Sequence, residues 1–300
     1  MTTYSNSNCT LCPRRCDVDR TVQAGYCGVK DKIRIAKVML HKWEEPCISV
    51  KNGAGTIFFS GCNLHCCYCQ NHAISDGITG IDVTTEKLSG IFLSLQNQGA
   101  DNIELVTPTH FVTHIIKALD LVKHKIEIPI VYNTGGYELI ETIETLKDYV
   151  DIFLPDLKYH SHEASLRYSG AKDYFKYASK AILRMAEITG KPQFANDGKL
   201  IKGTIIRHLV LPGMRHDSIK ILEWIADNFE TDSILISLMS QYTPVETISD
   251  RYNELKRKIT KMEYNSVVKR CSELGLNGYT QSMRSASECY IPDFDLTGIM

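Results

Sequence analysis

The chain of 300 residues has no apolar run approaching the roughly 20 residues that cross a bilayer, which excludes a transmembrane helix. It has no surplus of either charge: 34 Lys and Arg stand against 35 Asp and Glu, a formal net charge of -1. A bulk electrostatic attraction to nucleic acid or anionic lipid is therefore excluded. Arg14, Arg15 and Arg20 are basic, but no basic face interleaved with aromatics accompanies them. The first residues, Met1 to Cys12, are polar and have no hydrophobic signal core. No internal repeat or low-complexity tract is present. The expectation is a soluble cytoplasmic protein with neither membrane nor nucleic acid as partner. With 43% hydrophobic residues the chain has enough apolar surface to offset the entropy of ordering, so disorder is excluded as the general state.

Cysteine is abundant and uneven. Of 11, nine precede residue 70: Cys9, Cys12, Cys16, Cys27, Cys47, Cys62, Cys66, Cys67 and Cys69. A reducing compartment disfavours structural disulfides, so clustered thiols read as metal ligands or redox groups. Residues 1–50 form a polar, Cys- and Arg-rich segment ending in a weakly alternating strand, Ile33 to Leu40.

Residues 51–300 read differently. Short runs rich in β-branched residues, apolar on both faces, suit parallel strands: Thr56–Ser60, Asn102–Thr107, Ile128–Asn133, Asp151–Leu154, Gly203–Leu211 and Ser233–Met239. Helices are expected at Thr84–Gln98, Phe111–His124, Glu138–Tyr149, Tyr174–Thr189, Asp217–Asn228 and within Thr247–Leu274. Phe111, Ile115, Ala118, Leu119 and Val122 make the clearest helical stripe. Six strand–helix units in series are too few for a closed eight-stranded barrel. The expected fold is α/β, a partial (β/α)6 barrel with a Cys-rich N-terminal extension; an open doubly wound sheet is the alternative. Either architecture puts functional loops at the C-terminal strand ends.

The loop after the first strand reads Gly61-Cys62-Asn63-Leu64-His65-Cys66-Cys67-Tyr68-Cys69. Cys62, Cys66 and Cys69 are spaced C-x3-C-x2-C. A [4Fe-4S] cluster normally takes four Cys ligands. Three thiolates leave one iron open for an outside ligand. Structural zinc, with Cys67 or His72 as fourth ligand, is the competing reading. The spacing, with aromatic Tyr68 before the third Cys, resembles the signature of the radical S-adenosylmethionine (radical SAM) superfamily. The resemblance implies that SAM binds the open iron. Reduction then cleaves it to methionine and a deoxyadenosyl radical, which abstracts hydrogen from a substrate. It also implies Cys62, Cys66 and Cys69 as catalytic cluster ligands, and an electron donor such as flavodoxin or ferredoxin.

Within the superfamily, residues 9 to 250 look most like relatives of pyruvate formate-lyase activating enzyme. That branch offers a glycyl radical enzyme as substrate; a small molecule or another protein residue is the alternative. Gly53 to Cys62 resembles its entry into the cluster loop, Val210-Leu211-Pro212-Gly213 its Pro-Gly turn, and Asp156-Leu157-Lys158 an Asp-x-Lys element near the active site. The second strand end departs. Where activating enzymes carry Gly-Gly-Glu-Pro, this chain has Thr107-Pro108-Thr109-His110, with no carboxylate. Thr107 marks that turn, and the Thr109 hydroxyl or His110 ring are acceptors that can substitute. Asn133, before Gly135 and Gly136, is a candidate for a ribose hydroxyl. Arg207 is placed to point into the barrel, and Gln241 and Tyr242 are substrate-side candidates.

Cys9, Cys12, Cys16 and Cys27 form a second four-thiol set. It can close a zinc site or hold a second Fe–S cluster, or the thiols can stand unliganded. A different class of function goes with zinc at both sets: a non-catalytic interaction module.

Overall fold

The computed structural model describes residues 8–246, 248–282 and 292–299. Ten strands are present among them: β1 (Ile33–His41), β2 (Ala54–Phe59), β3 (Ile81–Val83), β4 (Ile103–Val106), β5 (Ile130–Thr134), β6 (Ile152–Pro155), β7 (Gln193–Phe194), β8 (Leu200–Leu209), β9 (Leu235–Met239) and β10 (Gly278–Thr280). The helices are α1 (His72–Ser75), α2 (Thr85–Asn97), α3 (Val112–Val122), α4 (Ile140–Glu144), α5 (His162–Ser169), α6 (Tyr174–Thr189), α7 (Arg215–Asn228) and α8 (Lys261–Glu273).

The strands form one sheet in the order β10-β9-β8-β6-β5-β4-β2-β1-β3, with β7 paired to β8. From β2 to β10 along that order every neighbouring pair is parallel. Helices connect β4, β5, β6, β8 and β9 to the next strand, so the fold is the partial (β/α)6 barrel that the alternation implies. The reason is visible in burial. β2, β4, β5 and β6 are buried along their whole length, as strands covered by helices on one side and facing a barrel interior on the other must be.

Sequence reading and structure part company at the edges. β1 pairs antiparallel with β2, and β3 with β1. The strand at the end of the Cys-rich segment is thus part of the sheet. The helix expected over Glu138–Tyr149 is one turn, α4, followed by turns. The last helical region divides into a 3-10 segment, Asp250–Lys256, and α8. Thr260 caps α8 in a full capping box with Glu263. Thr84 caps α2 by accepting from the Lys87 amide, with no reciprocal carboxylate.

Candidate active site

The polar side chains of the barrel interior converge. Glu104 on β4 and Asn133 on β5 are buried, and Asn133 Nδ2 donates to Glu104 Oε1 at 2.6 Å. The Thr56 hydroxyl donates to the other Glu104 oxygen at 2.8 Å. Arg207 on β8 donates from Nε to Asp156 Oδ1 at 2.9 Å and from a terminal nitrogen to Asn133 Oδ1 at 2.5 Å. Lys158 Nζ donates to Asp156 Oδ2 at 2.5 Å. Burial works against ionising Asp156, but Arg207 and Lys158 outweigh it and hold the carboxyl below its usual range. Burial likewise opposes charge on Lys158, and Asp156 followed by Cys66 overcomes it, raising its pKa.

This network lines a cavity of about 610 Å³. Its wall takes in Cys62, Cys66, Tyr68 and Cys69 from the loop after β2, then Thr107, Asn133, Asp156, Lys158, Arg207 and Gln241. Cys67 is not in the wall: its amide donates to Tyr168 O at 2.8 Å, and the loop turns its side chain elsewhere. His72 is exposed, its Nδ1 3.3 Å from Cys69 O.

The three lining thiols are chemically suited to a cationic cluster. Burial pushes the Cys69 thiol up to about 12, with Cys66 and Cys62 adding to the rise. Burial and Cys66 raise Cys62 as well, against the Leu64 and His65 amides. Burial and mutual repulsion favour the neutral thiols at Cys62 and Cys69, and a cationic cluster core would favour the thiolates. The Ser169 hydroxyl donates to Cys66 Sγ at 3.0 Å and the Leu64 amide to Cys62 Sγ at 3.4 Å. Among the described residues no three His, Cys, Asp or Glu side chains stand as a single metal ion requires. A cubane instead distributes its thiolates over separate irons.

Glycine sets two close approaches. Gly61 has φ +89°, and a Cβ there would lie 2.5 Å from Cys27 O. A Cβ on Gly135 would lie 2.8 Å from Leu64 of the cysteine loop. Gly135 therefore gives room to the protein's own loop.

Of the residues expected around the second strand end, one lines the cavity and others are turned away. Thr107 lines the cavity with φ +56°, a backbone that a β-branched residue rarely adopts. Thr109 and His110 are turned away. The Thr109 hydroxyl donates to Glu138 Oε1 at 2.6 Å, and His110 Nε2 lies 2.8 Å from Ser60 O, because the chain enters a buried 3-10 turn at Thr109. Asn133 lines the cavity with its amide held at both ends, Nδ2 donating to Glu104 and Oδ1 accepting from Arg207. Tyr242 is buried, donating to Leu255 O at 2.5 Å and packing its ring 6.2 Å from that of Tyr68. The Pro212-Gly213 turn is held by α8, Gly213 N donating to Glu263 Oε1 at 2.8 Å. Glu104, Glu44 and Glu45 escaped sequence reading. Glu104 sits in an apolar strand, and only its barrel-facing position marks it.

The N-terminal thiols gather behind the cysteine loop. Cys12 and Cys27 are buried, Cys9 and Cys16 half-buried. Burial pushes Cys12 up to about 12, with Glu138, Cys27 and Cys16 also raising it. The Cys62 amide donates to Cys27 O at 3.1 Å. Arg14 donates to the carbonyls of Asn63, Gly170 and Ser169 at 2.7, 2.6 and 2.9 Å, and stacks 3.8 Å over Tyr26.

Comparison with known proteins decides the family. The Radical SAM superfamily matches residues 56–225, more than half the chain. The chain belongs to the radical SAM superfamily. It is 28% identical over 279 residues to the uncharacterized protein MJ0674 of Methanocaldococcus jannaschii, covering 90% of this chain and 76% of that one. A radical SAM methyltransferase from Sphaerobacter thermophilus shares the fold with TM-score 0.52 and 13% identity, over 75% of this chain and 65% of that chain. SuiB of Streptococcus suis, solved bound to S-adenosylmethionine, shares it with TM-score 0.51 and 15% identity, over 74% of this chain and 48% of that one. The chain thus spans less than two thirds of the length of each of these two structures. Superfamily membership implies a [4Fe-4S] cluster, SAM and radical chemistry. No helix among the described residues is long and apolar enough to cross a membrane.

Proposed function

We propose that this chain is an enzyme that holds a [4Fe-4S] cluster on Cys62, Cys66 and Cys69 and uses SAM to abstract hydrogen from a substrate seated in the barrel. The observation that carries the reading is the shared wall: the three loop thiols and the Asn133–Arg207–Asp156–Lys158 network enclose one cavity. When bound, the cluster and SAM supply an electron and a deoxyadenosyl radical. The protein positions them and excludes water. Ser169 and the Leu64 amide orient the thiolates, and Tyr68, its hydroxyl accepting from Tyr159 at 2.7 Å, fixes the loop against the aromatic packing behind it. Thr107, Asp156, Lys158 and Arg207 are the polar groups of the wall that would hold SAM. An electron donor such as flavodoxin or ferredoxin reduces the cluster.

Two substrate classes follow. The sequence resemblance offers the backbone glycine of a glycyl radical enzyme. The carboxylates on the cavity wall favour a small molecule or a protein side chain. Reduced protein incubated with SAM and candidate glycyl radical enzymes separates them: an EPR doublet supports the first, and silence across the candidates supports the second.

Cys9, Cys12, Cys16 and Cys27 are proposed as a second metal site; the thiols do not stand as a single zinc ion requires, which favours Fe–S over zinc. Residues 1–50 would then be a metal-braced segment that also adds β1 and the Glu44–Glu45 wall to the barrel domain of residues 51–300. Metal analysis of a chain with Cys62, Cys66 and Cys69 all changed to Ala tests this. Metal retained in stoichiometric amount supports the site, and a metal-free chain removes it.

A further inference from the structure

The cavity has two unlike ends. The cysteine loop follows β2 and closes the C-terminal end of the parallel strands. Residues 41–46 close the other: His41 pairs with Ala54 at the start of β2, and Cys47 O accepts from the Leu200 amide at the start of β8. This crossing segment contributes Glu44 and Glu45 to the cavity wall.

The buried positive charges nearby are already engaged. Arg207 serves Asp156 and Asn133 at 2.9 and 2.5 Å and reaches Glu44 only at 3.5 Å. Lys158 is held by Asp156. His41 lies 3.6 Å from Glu44, and burial lowers its pKa, favouring the neutral ring. Lys42 also lines the cavity, as a solvent-exposed residue. Glu104 is supplied by Thr56 and Asn133. Glu45 is 8% exposed, lines the cavity, and keeps Oε2 without any hydrogen-bond partner. A buried carboxylate oxygen left unpaired costs free energy that a donor recovers. Burial, then Glu104 and Glu45, drive the Glu44 carboxyl well above its usual range against the pull of Arg207, the mark of a site short of positive charge.

We propose that Glu44 and Glu45 form a cation site at the floor of the cavity, which binds a protonated amine or guanidinium of the substrate and so orients the molecule beneath the cysteine loop. The proposal rests on the cavity being the substrate chamber, and it names the substrate class that the chamber selects. The other source of an ammonium is SAM itself, and the test separates the two.

The probes are n-butylammonium and n-butylguanidinium, with neutral butyramide as the comparison. Binding to the full reconstituted chain is measured by saturation-transfer NMR with and without SAM. The cations are expected to bind with SAM present, butyramide to fail, and Glu45→Gln to weaken the cations at least about tenfold. Equal binding of butyramide, unchanged cation affinity in Glu45→Gln, or displacement of the cations by SAM would each overturn the proposal. The comparison of probes on the unaltered chain does not depend on the variant folding. Deoxyadenosine release is assayed in the same sample. Cations bound without any SAM cleavage would contradict the radical SAM reading and leave the cation site standing.

Discussion

The two sets of cysteines in this chain differ in what their side chains face. Cys62, Cys66 and Cys69 open onto a cavity lined by charged and polar groups from four strands. Cys9, Cys12, Cys16 and Cys27 line no part of it; two are buried behind the loop, where Cys27 O receives the Cys62 amide. One set opens onto the cavity, and the other meets the first through the Cys27 backbone. Thiol chemistry alone does not separate a reactive site from a brace: burial pushes both Cys69 and Cys12 up to about 12. The difference lies in what surrounds them.

The largest effect that breaks the comparison is substitution at the loop. Cys62→Ala, Cys66→Ala or Cys69→Ala is expected to reduce deoxyadenosine formation to background, since an incomplete ligand set cannot hold the cluster at working geometry. Cys67→Ala keeps most of it. Cys16→Ser is expected to leave loop-bound iron in place and to lower Tm by roughly 5 °C, as a metal site lost from a folded segment does. Iron lost from the loop in Cys16→Ser would erase the distinction.

Next is the coupling of Glu138 to the N-terminal set. Burial pushes its carboxyl up to about 7 from 4.5, against donors from Thr109, Thr134 and Tyr132. A carboxyl raised on folding binds its proton more tightly in the native state. Its contribution is complete below pH 4.5 and is lost as pH rises through 7, about 3 kcal/mol in all. Chemical denaturation of Glu138→Gln across this range should show that part of the slope removed; an unchanged slope would locate the titration elsewhere.

Smaller effects sharpen the contact between the two regions. Gly61→Ala sets a Cβ against Cys27 O in a left-handed backbone, and is expected to cost about 2 kcal/mol in urea unfolding. Arg14→Ala removes three charge-assisted bonds that tie the cysteine loop to the end of α5, about 1.5 kcal/mol by the same measurement. Arg14→Lys should recover less than half, because one ammonium cannot span three carbonyls.

The barrel was legible because its signals are local. The buried β-branched strands and the stripe of α3 declare themselves within a few residues, and C-x3-C-x2-C needs only eight. What lay hidden depends on pairing across the sheet. Glu104, in Ile103–Val106, reads as a flaw in an apolar strand until the fold brings Asn133 and Thr56 to it. Thr109 and His110 sit at the expected strand end, yet a 3-10 turn points them into the protein. Glu44 and Glu45 precede the first barrel strand and reach the cavity only because the chain crosses beneath it. Asp156, Lys158 and Arg207 were legible as polar residues at or near strand ends, but their mutual pairing was not.

The measurement that bears most directly on the central claim is deoxyadenosine released from SAM by the anaerobically reconstituted, dithionite-reduced chain. The account predicts release from the unaltered protein and none from Cys62→Ala. No release from a chain whose [4Fe-4S] content is confirmed, or equal release from Cys62→Ala, would contradict it.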